Sequence, residues 1–241
     1  MRTLQRLSIV LLSIAWLATT HGLLAAEPVF RLATFSVDVT IPLGHRCMGI
    51  LPTKSQKVLD PLYCHGFVLL GPDRPIVVCA VDWCEIRNEA YDQWRETLAA
   101  AAGTDRQRVL LSALHQHDAP VVDRGAARLL AAVGLPGELY DEEFHQQTLD
   151  RVSKAVHDAL QFTVPVSHIG TGQAMVEGVA SNRRVELPTG QVSFGRGSRS
   201  GADDFHRQAP VGEIDPWLRT LSFWNEDQPL LAMHAYATHP M

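Results

Sequence analysis

Hydrophobic and polar positions alternate in short runs along much of the chain, and two longer stretches carry a helical period instead. Phe30 to Val39 alternates in part and predicts a strand, closed by the turn signal Thr40-Ile41-Pro42-Leu43-Gly44. His45 to Leu59 has no clear period and is expected to be loop. Two apolar runs, Leu62 to Leu70 and Pro75 to Asp82, flank Gly71-Pro72-Asp73-Arg74, which is the pattern of a hairpin. Asn88 to Ala102 is rich in Glu, Gln, Leu and Ala and ends at Gly103, which predicts a helix with a glycine stop. Val109 to Leu114 reads as a short buried strand that runs straight into His115.

The clearest helix covers Asp141 to Leu160. Phe144, Leu149, Val152, Val156 and Leu160 share one face, and Asp141, Glu142 and Glu143 complement the helix dipole at its start. Val164 to Gly170 predicts a strand. Val185 to Val211, rich in Gly, Ser and Arg, predicts a long loop of the functional or mobile kind. Leu218 to Trp224 and Leu230 to Ala237 predict a second hairpin around Asn225-Glu226-Asp227-Gln228. Strands interspersed with helices, together with two hairpins, give the expected fold class: mixed α/β of the α+β kind, a mixed β-sheet with flanking helices.

The first residues change the picture. Arg2 and Arg6 precede an apolar run from Leu7 to about Ala18, and a second patch, Leu23 to Ala26, ends in small residues before Glu27. This is the layout of a secretory signal, expected to be cleaved after Ala26. Thr19, Thr20, His21 and Gly22 break the run short of a membrane span. The expected organisation is a signal peptide over 1–26 and one domain over 27–241, with the mature protein exported to the periplasm or the exterior. In an oxidising compartment Cys47, Cys64, Cys79 and Cys84 could pair in three ways; Cys79, within Ile76 to Val81, fits a buried inert thiol.

Composition narrows the function classes. The 241 residues carry 21 Lys+Arg against 26 Asp+Glu, a net charge of −5, with 46% hydrophobic residues. That excludes collagen, a coiled coil and a disordered tail, and the acidic balance argues against a nucleic-acid partner. Eleven histidines are many for this length. The sharpest group is Leu114-His115-Gln116-His117-Asp118-Ala119-Pro120, at the end of an apolar strand. Residues two apart on a strand share a face, so both imidazoles can point into one pocket, and Asp118 could fix a tautomer. Taken alone, the motif fits a ligand pair or two surface histidines equally well. His239, after an apolar strand and before Pro240, is again balanced between ligand and bystander; His234, within the strand, fits a packed, hydrogen-bonded residue. Ser181-Asn182-Arg183-Arg184 can clamp an anionic oxygen or form a solvated basic turn. Asp38 and Asp82 each end a strand, as turn residues or as acids reaching a site; Asp60-Pro61 and Asp215-Pro216 read as structural turns.

In order along the chain, these pieces resemble the N-terminal part of the neutral/alkaline, non-lysosomal ceramidase family. The resemblance rests on Asp38 to Pro42, Asp60 to Tyr63, Val78 to Asp82, Leu111 to Pro120, Asn182-Arg183, Asp215-Pro216 and Ala235 to Pro240. It implies a zinc amidase that cleaves the N-acyl bond of ceramide-like lipids, with possible peripheral contact at a membrane. By that resemblance His115 and His239 are zinc ligands, and His117 is a partner either of those ligands or of the transition state. Arg183 contacts the substrate or the oxyanion, Asn182 contacts the substrate, and Asp38 is a structural or active-site acid. Zinc would lower the pKa of an attacking water toward about 7. The chain departs from the family pattern at Gln116 and Asp118, where the family has Thr and Ser. The family's remaining ligands, a Glu and a Tyr, lie beyond the second histidine block, so the chain reads as an N-terminal fragment, an incomplete catalytic domain. The other readings are a non-catalytic exported binding domain of the same fold, and a metal-dependent hydrolase of a different amide or ester.

Overall fold

The computed structural model describes residues 29–49, 53–197 and 203–239. The expected signal segment, 1–26, lies outside the described residues. The element order is β1 (Phe30–Asp38), β2 (Tyr63–Leu70), β3 (Ile76–Val81), β4 (Glu85–Ile86), α1 (Asn88–Ala102), β5 (Val109–Ala113) and β6 (Val121–Val122). Then come α2 (Arg124–Ala132), α3 (Glu142–Ala159), β7 (Val164–Val166), β8 (His168–Met175), β9 (Val185–Glu186) and β10 (Val192–Ser193). The last elements are α4 (Asp204–Gln208), β11 (Trp217–Asn225) and β12 (Gln228–Ala235). The fold is mixed α+β, as the sequence pattern predicts.

The main sheet has the order β5-β3-β2-β1-β7. Its pairs are antiparallel except β3 with β5, which run parallel through α1. Period-2 patterning sorts its side chains between two cores. Ala33, Phe35 and Val37 of β1, Cys64 and Val68 of β2, and Val77, Cys79 and Val81 of β3 join Trp94, Leu98, Leu149, Val152 and Val156 of α1 and α3. The residues between them, Leu32 and Phe67 with the half-buried Val78, pack instead against Phe223, Leu221 and Met233 of the second sheet, β12-β11-β8. Phe67 and Phe223 meet with ring centroids 5.2 Å apart. Helices, main sheet and second sheet thus form three layers.

Several details differ from the sequence expectation; Val185 to Val211, expected to be a long loop, carries β9, β10 and α4. Val164 to Gly170 is not one strand: β7 joins the main sheet and β8 the second. The chain changes sheets at Ser167, whose N–H and hydroxyl both donate to the Trp224 carbonyl while its Oγ accepts from Glu226 N–H. Strand β5 is an edge strand rather than a buried one, with Leu110 51% exposed. Helix α2, absent from the sequence reading, is capped by the Asp123 carboxylate, which accepts from Ala126 N–H. Gly103 ends α1 in the left-handed conformation, as expected.

All four cysteines are buried free thiols. Burial and a hydrogen bond between Cys64 and Cys79 hold the Cys64 thiol well above its usual range.

Two features of this packing have measurable consequences. A Cβ on Gly66 would lie 2.3 Å from Phe35 Cζ and 2.7 Å from the Val78 carbonyl. Gly66→Ala is therefore expected to lower the unfolding free energy by about 2 kcal/mol or more in urea titration; a neutral result would contradict the packing described. The second feature is His145, 3% exposed, whose Nε2 accepts from Trp94 Nε1 at 3.0 Å. Burial, helped by Arg124, pushes its pKa down to about 4. The unfolded chain therefore binds this proton first, and stability present above about pH 6.5 is lost as pH falls toward 4. From 6.5 to about 4, at 1.36 kcal/mol per pH unit, the loss approaches about 3 kcal/mol. His145→Gln keeps an acceptor for Trp94 and is expected to abolish that part of the acid destabilisation; equal acid loss in both proteins would contradict it.

Candidate metal centre

The histidine site is built where β3 and β5 end side by side. Beyond the strands, Leu114 N–H donates to Val81 O at 2.9 Å and His115 N–H to Trp83 O at 3.0 Å. The chain then turns sharply: His115 has φ 62°, a left-handed conformation unusual for a residue with a Cβ. That turn ends the ladder and aims the next side chains away from the sheet. Met48 N–H donates to Ala119 O and Cys84 N–H to Pro120 O, which fixes the far end of the segment.

His239 arrives from β12 through Tyr236 to Thr238. The three imidazoles of His115, His117 and His239 meet, with ring centroids 5.0, 4.9 and 4.9 Å apart and planes at 85°, 78° and 68°. One nitrogen from each lies within 4.8 Å of the other two. Three imidazoles on one tetrahedral ion, with nitrogens about 2.0–2.1 Å from it, place their ring centres roughly 5 Å apart. The triangle of rings has that size.

The polar partners support a donor set. His115 Nδ1 lies 3.2 Å from the Cys84 carbonyl and 3.6 Å from its Sγ, with the Glu85 carboxylate at 3.8 Å. A carbonyl there accepts a hydrogen bond from Nδ1–H, which favours the tautomer with its lone pair on Nε2. The thiol beside it is a poor competitor for a cation, because burial and the Glu85 charge push the Cys84 pKa up to about 11. His117 Nε2 is buried with no hydrogen-bond partner among the described residues. An imidazole nitrogen left bare inside a protein costs free energy unless a ligand satisfies it. The residues therefore fit a divalent ion with nitrogen preference, zinc among them.

The other sequence candidates divide. Arg183 and His239 line one cavity of about 380 Å³. Asn182, adjacent to it, is engaged at both ends of its amide: Nδ2 donates to Glu213 O and Oδ1 accepts from Arg184 N–H. It shapes the loop that presents Arg183. Asp38 accepts from Thr40 N–H at 2.8 Å, and the Thr40 hydrogen bonds hold its carboxyl below the usual range. Asp82 accepts from Tyr63 N–H and lines a second cavity, about 610 Å³, with His117, Asp118 and Ile41. His234 is exposed and hydrogen-bonded to Thr220. His115 and His117 lie beyond the end of β5, where His115 has φ 62°, so the strand alternation that predicts a shared face is not what brings their rings together.

The comparisons follow the same lines. No family model and no curated protein matches the chain. Solved structures do. One titled "Ceramidase complexed with C2" superposes with a TM-score of 0.62 at 18% identity, over 88% of this chain and 32% of the other. The crystal structure of neutral ceramidase from Pseudomonas aeruginosa does so with a TM-score of 0.60 at 17% identity, again over 88% and 32%. The chain thus spans about a third of the length of these proteins. Its fold is ceramidase-like.

Proposed function

We propose that this chain carries the zinc-binding part of an amidohydrolase that cleaves the N-acyl bond of ceramide-like lipids to a fatty acid and a sphingoid base. The observation that carries the reading is the triangle of His115, His117 and His239 within a ceramidase-like fold. Bound there, zinc supplies Lewis acidity to polarise the amide carbonyl and to make water nucleophilic near neutral pH. His115, His117 and His239 are the residues that would hold it.

The chain's own groups do the rest. The Cys84 carbonyl fixes the His115 ring and its tautomer. Arg183 brings a cation to the cavity that His239 borders, where it can meet the oxygen that becomes negative as the amide is attacked. The cavity bordered by His117 is lined mostly by polar residues and includes an apolar part, Ile41, Val58, Leu59 and Leu62, which a hydrocarbon chain could meet. Among the described residues no helix is long and apolar enough to cross a membrane. We propose that the enzyme meets a lipid surface after export, a reading that rests on the signal-like layout of residues 1–26.

Two measurements test this. Purified protein, in the longest form its gene encodes, is expected to hold about one zinc per chain by elemental analysis. His115→Ala and His117→Ala are each expected to weaken zinc at least tenfold in competition titration. Full zinc affinity in His117→Ala would return that residue to a supporting role. Release of fatty acid from a short-chain fluorescent ceramide is expected, lost with chelator and restored by zinc. Arg183→Ala is expected to lower kcat/KM about 100-fold with little change in zinc content. Chelator-sensitive turnover of small amides with none of ceramide would overturn the substrate assignment.

A further inference from the structure

A second constellation lies outside the histidine triangle, in the segment that holds β9, β10 and α4. Ser193 ends β10, and Asp203 and His206 stand at the first turn of α4. Ser193 Oγ is 2.8 Å from His206 Nε2, and His206 Nδ1 is 2.5 Å from Asp203 Oδ2. Helix capping explains only part of this. Asp203 Oδ1 accepts from Phe205 N–H at 2.9 Å and His206 N–H at 3.4 Å, which is all that a cap requires. The second carboxylate oxygen is left for the imidazole, and that hydrogen bond holds the Asp203 carboxyl below its usual range.

Backbone and buried side chains pack closely around the three residues. A Cβ on Gly195 would sit 2.5 Å from the His206 ring, so bare backbone packs against the imidazole. Gly195 N–H also donates to Ser193 Oγ at 3.2 Å. Arg196, 7% exposed, donates to the carbonyls of Asn182, His206, Ala209 and Pro210, tying both flanks of the segment together. The His206 side chain is 12% exposed and borders the same cavity as Arg183.

A hydroxyl bonded to one imidazole nitrogen, with a carboxylate on the other, is the arrangement that turns serine into a nucleophile on unrelated folds. We propose that Ser193, His206 and Asp203 form a metal-independent acyl-transfer site for carboxylic esters. As Ser193 Oγ bonds to the ester carbonyl carbon, its proton passes to His206 Nε2. The carbon–oxygen bond to the alcohol breaks, and the alcohol leaves with that proton. Water then attacks the Ser193 ester, gives a proton to His206, and Ser193 Oγ departs with it, leaving the free acid. Asp203 keeps the Nδ1 proton in place and balances the imidazolium. Arg183 supplies positive charge to the neighbouring cavity.

None of the three residues belongs to the histidine triangle, although His206 and His239 border one cavity, and the test is independent of metal. The full chain is treated with a fluorophosphonate probe, and the adduct is located by peptide mass spectrometry. An adduct on Ser193 is expected, absent in Ser193→Ala and formed about 100-fold more slowly in His206→Asn. Asp203→Asn keeps an oxygen for the helix cap but loses the carboxylate facing Nδ1, and is expected to slow labelling by a similar factor. Chelator is expected to leave the rate unchanged. Circular dichroism matching the parent shows that each variant is folded. No adduct on Ser193 in folded protein, a rate that His206→Asn leaves intact, or labelling abolished by chelator would each overturn the proposal.

Discussion

The parallel pairing of β3 with β5 is the contact on which the candidate site depends. It lays the ends of two strands side by side, so that Val81 and Trp83 offer carbonyls to Leu114 and His115. Those bonds hold the backbone where it turns through a positive φ at His115. The same turn brings Cys84 beside the ring, and its carbonyl sets the tautomer. Parallel strands need a crossover, and α1 provides it, packed through Trp94 and Leu98 on the sheet. The hydrophobic seam under α1 therefore decides where His115 points.

The second sheet completes the arrangement from the other side. Phe67 against Phe223 docks β11 and β12 on the main sheet, and β12 delivers His239. Residues more than a hundred positions apart thus meet because two aromatic side chains register one sheet on another. The docking also sets the two cavities, one against His117 and one against His239 and Arg183.

Much of this was legible in the sequence where periodicity was strong. The bounds of α1, the presence of the two hairpins and the apolar face of α3 all follow from local spacing. The likeness of His115 and His239 to zinc ligands came from ordered motifs rather than from spacing, and the geometry adds His117 as an equal corner of the triangle. Other features depend on contacts that no local pattern encodes. The break between β7 and β8 falls at Ser167, whose hydroxyl bonds a residue far along the chain. Helix α2 is only nine residues long with Ala127 alone buried, too short for periodicity to separate it from loop. The Gly/Arg-rich stretch reads as mobile, yet Arg196 is buried and spends its donors on four carbonyls. Burial of a guanidinium is a tertiary fact, as is the neutral His145 beneath Trp94.

The account stands or falls on whether the three imidazoles share one ion. X-ray absorption at the zinc edge on zinc-loaded protein measures this directly. The expected spectrum shows nitrogen neighbours at about 2.0–2.1 Å, with the outer-shell scattering of three imidazole rings. A shell of oxygen neighbours alone, without imidazole scattering, would contradict it.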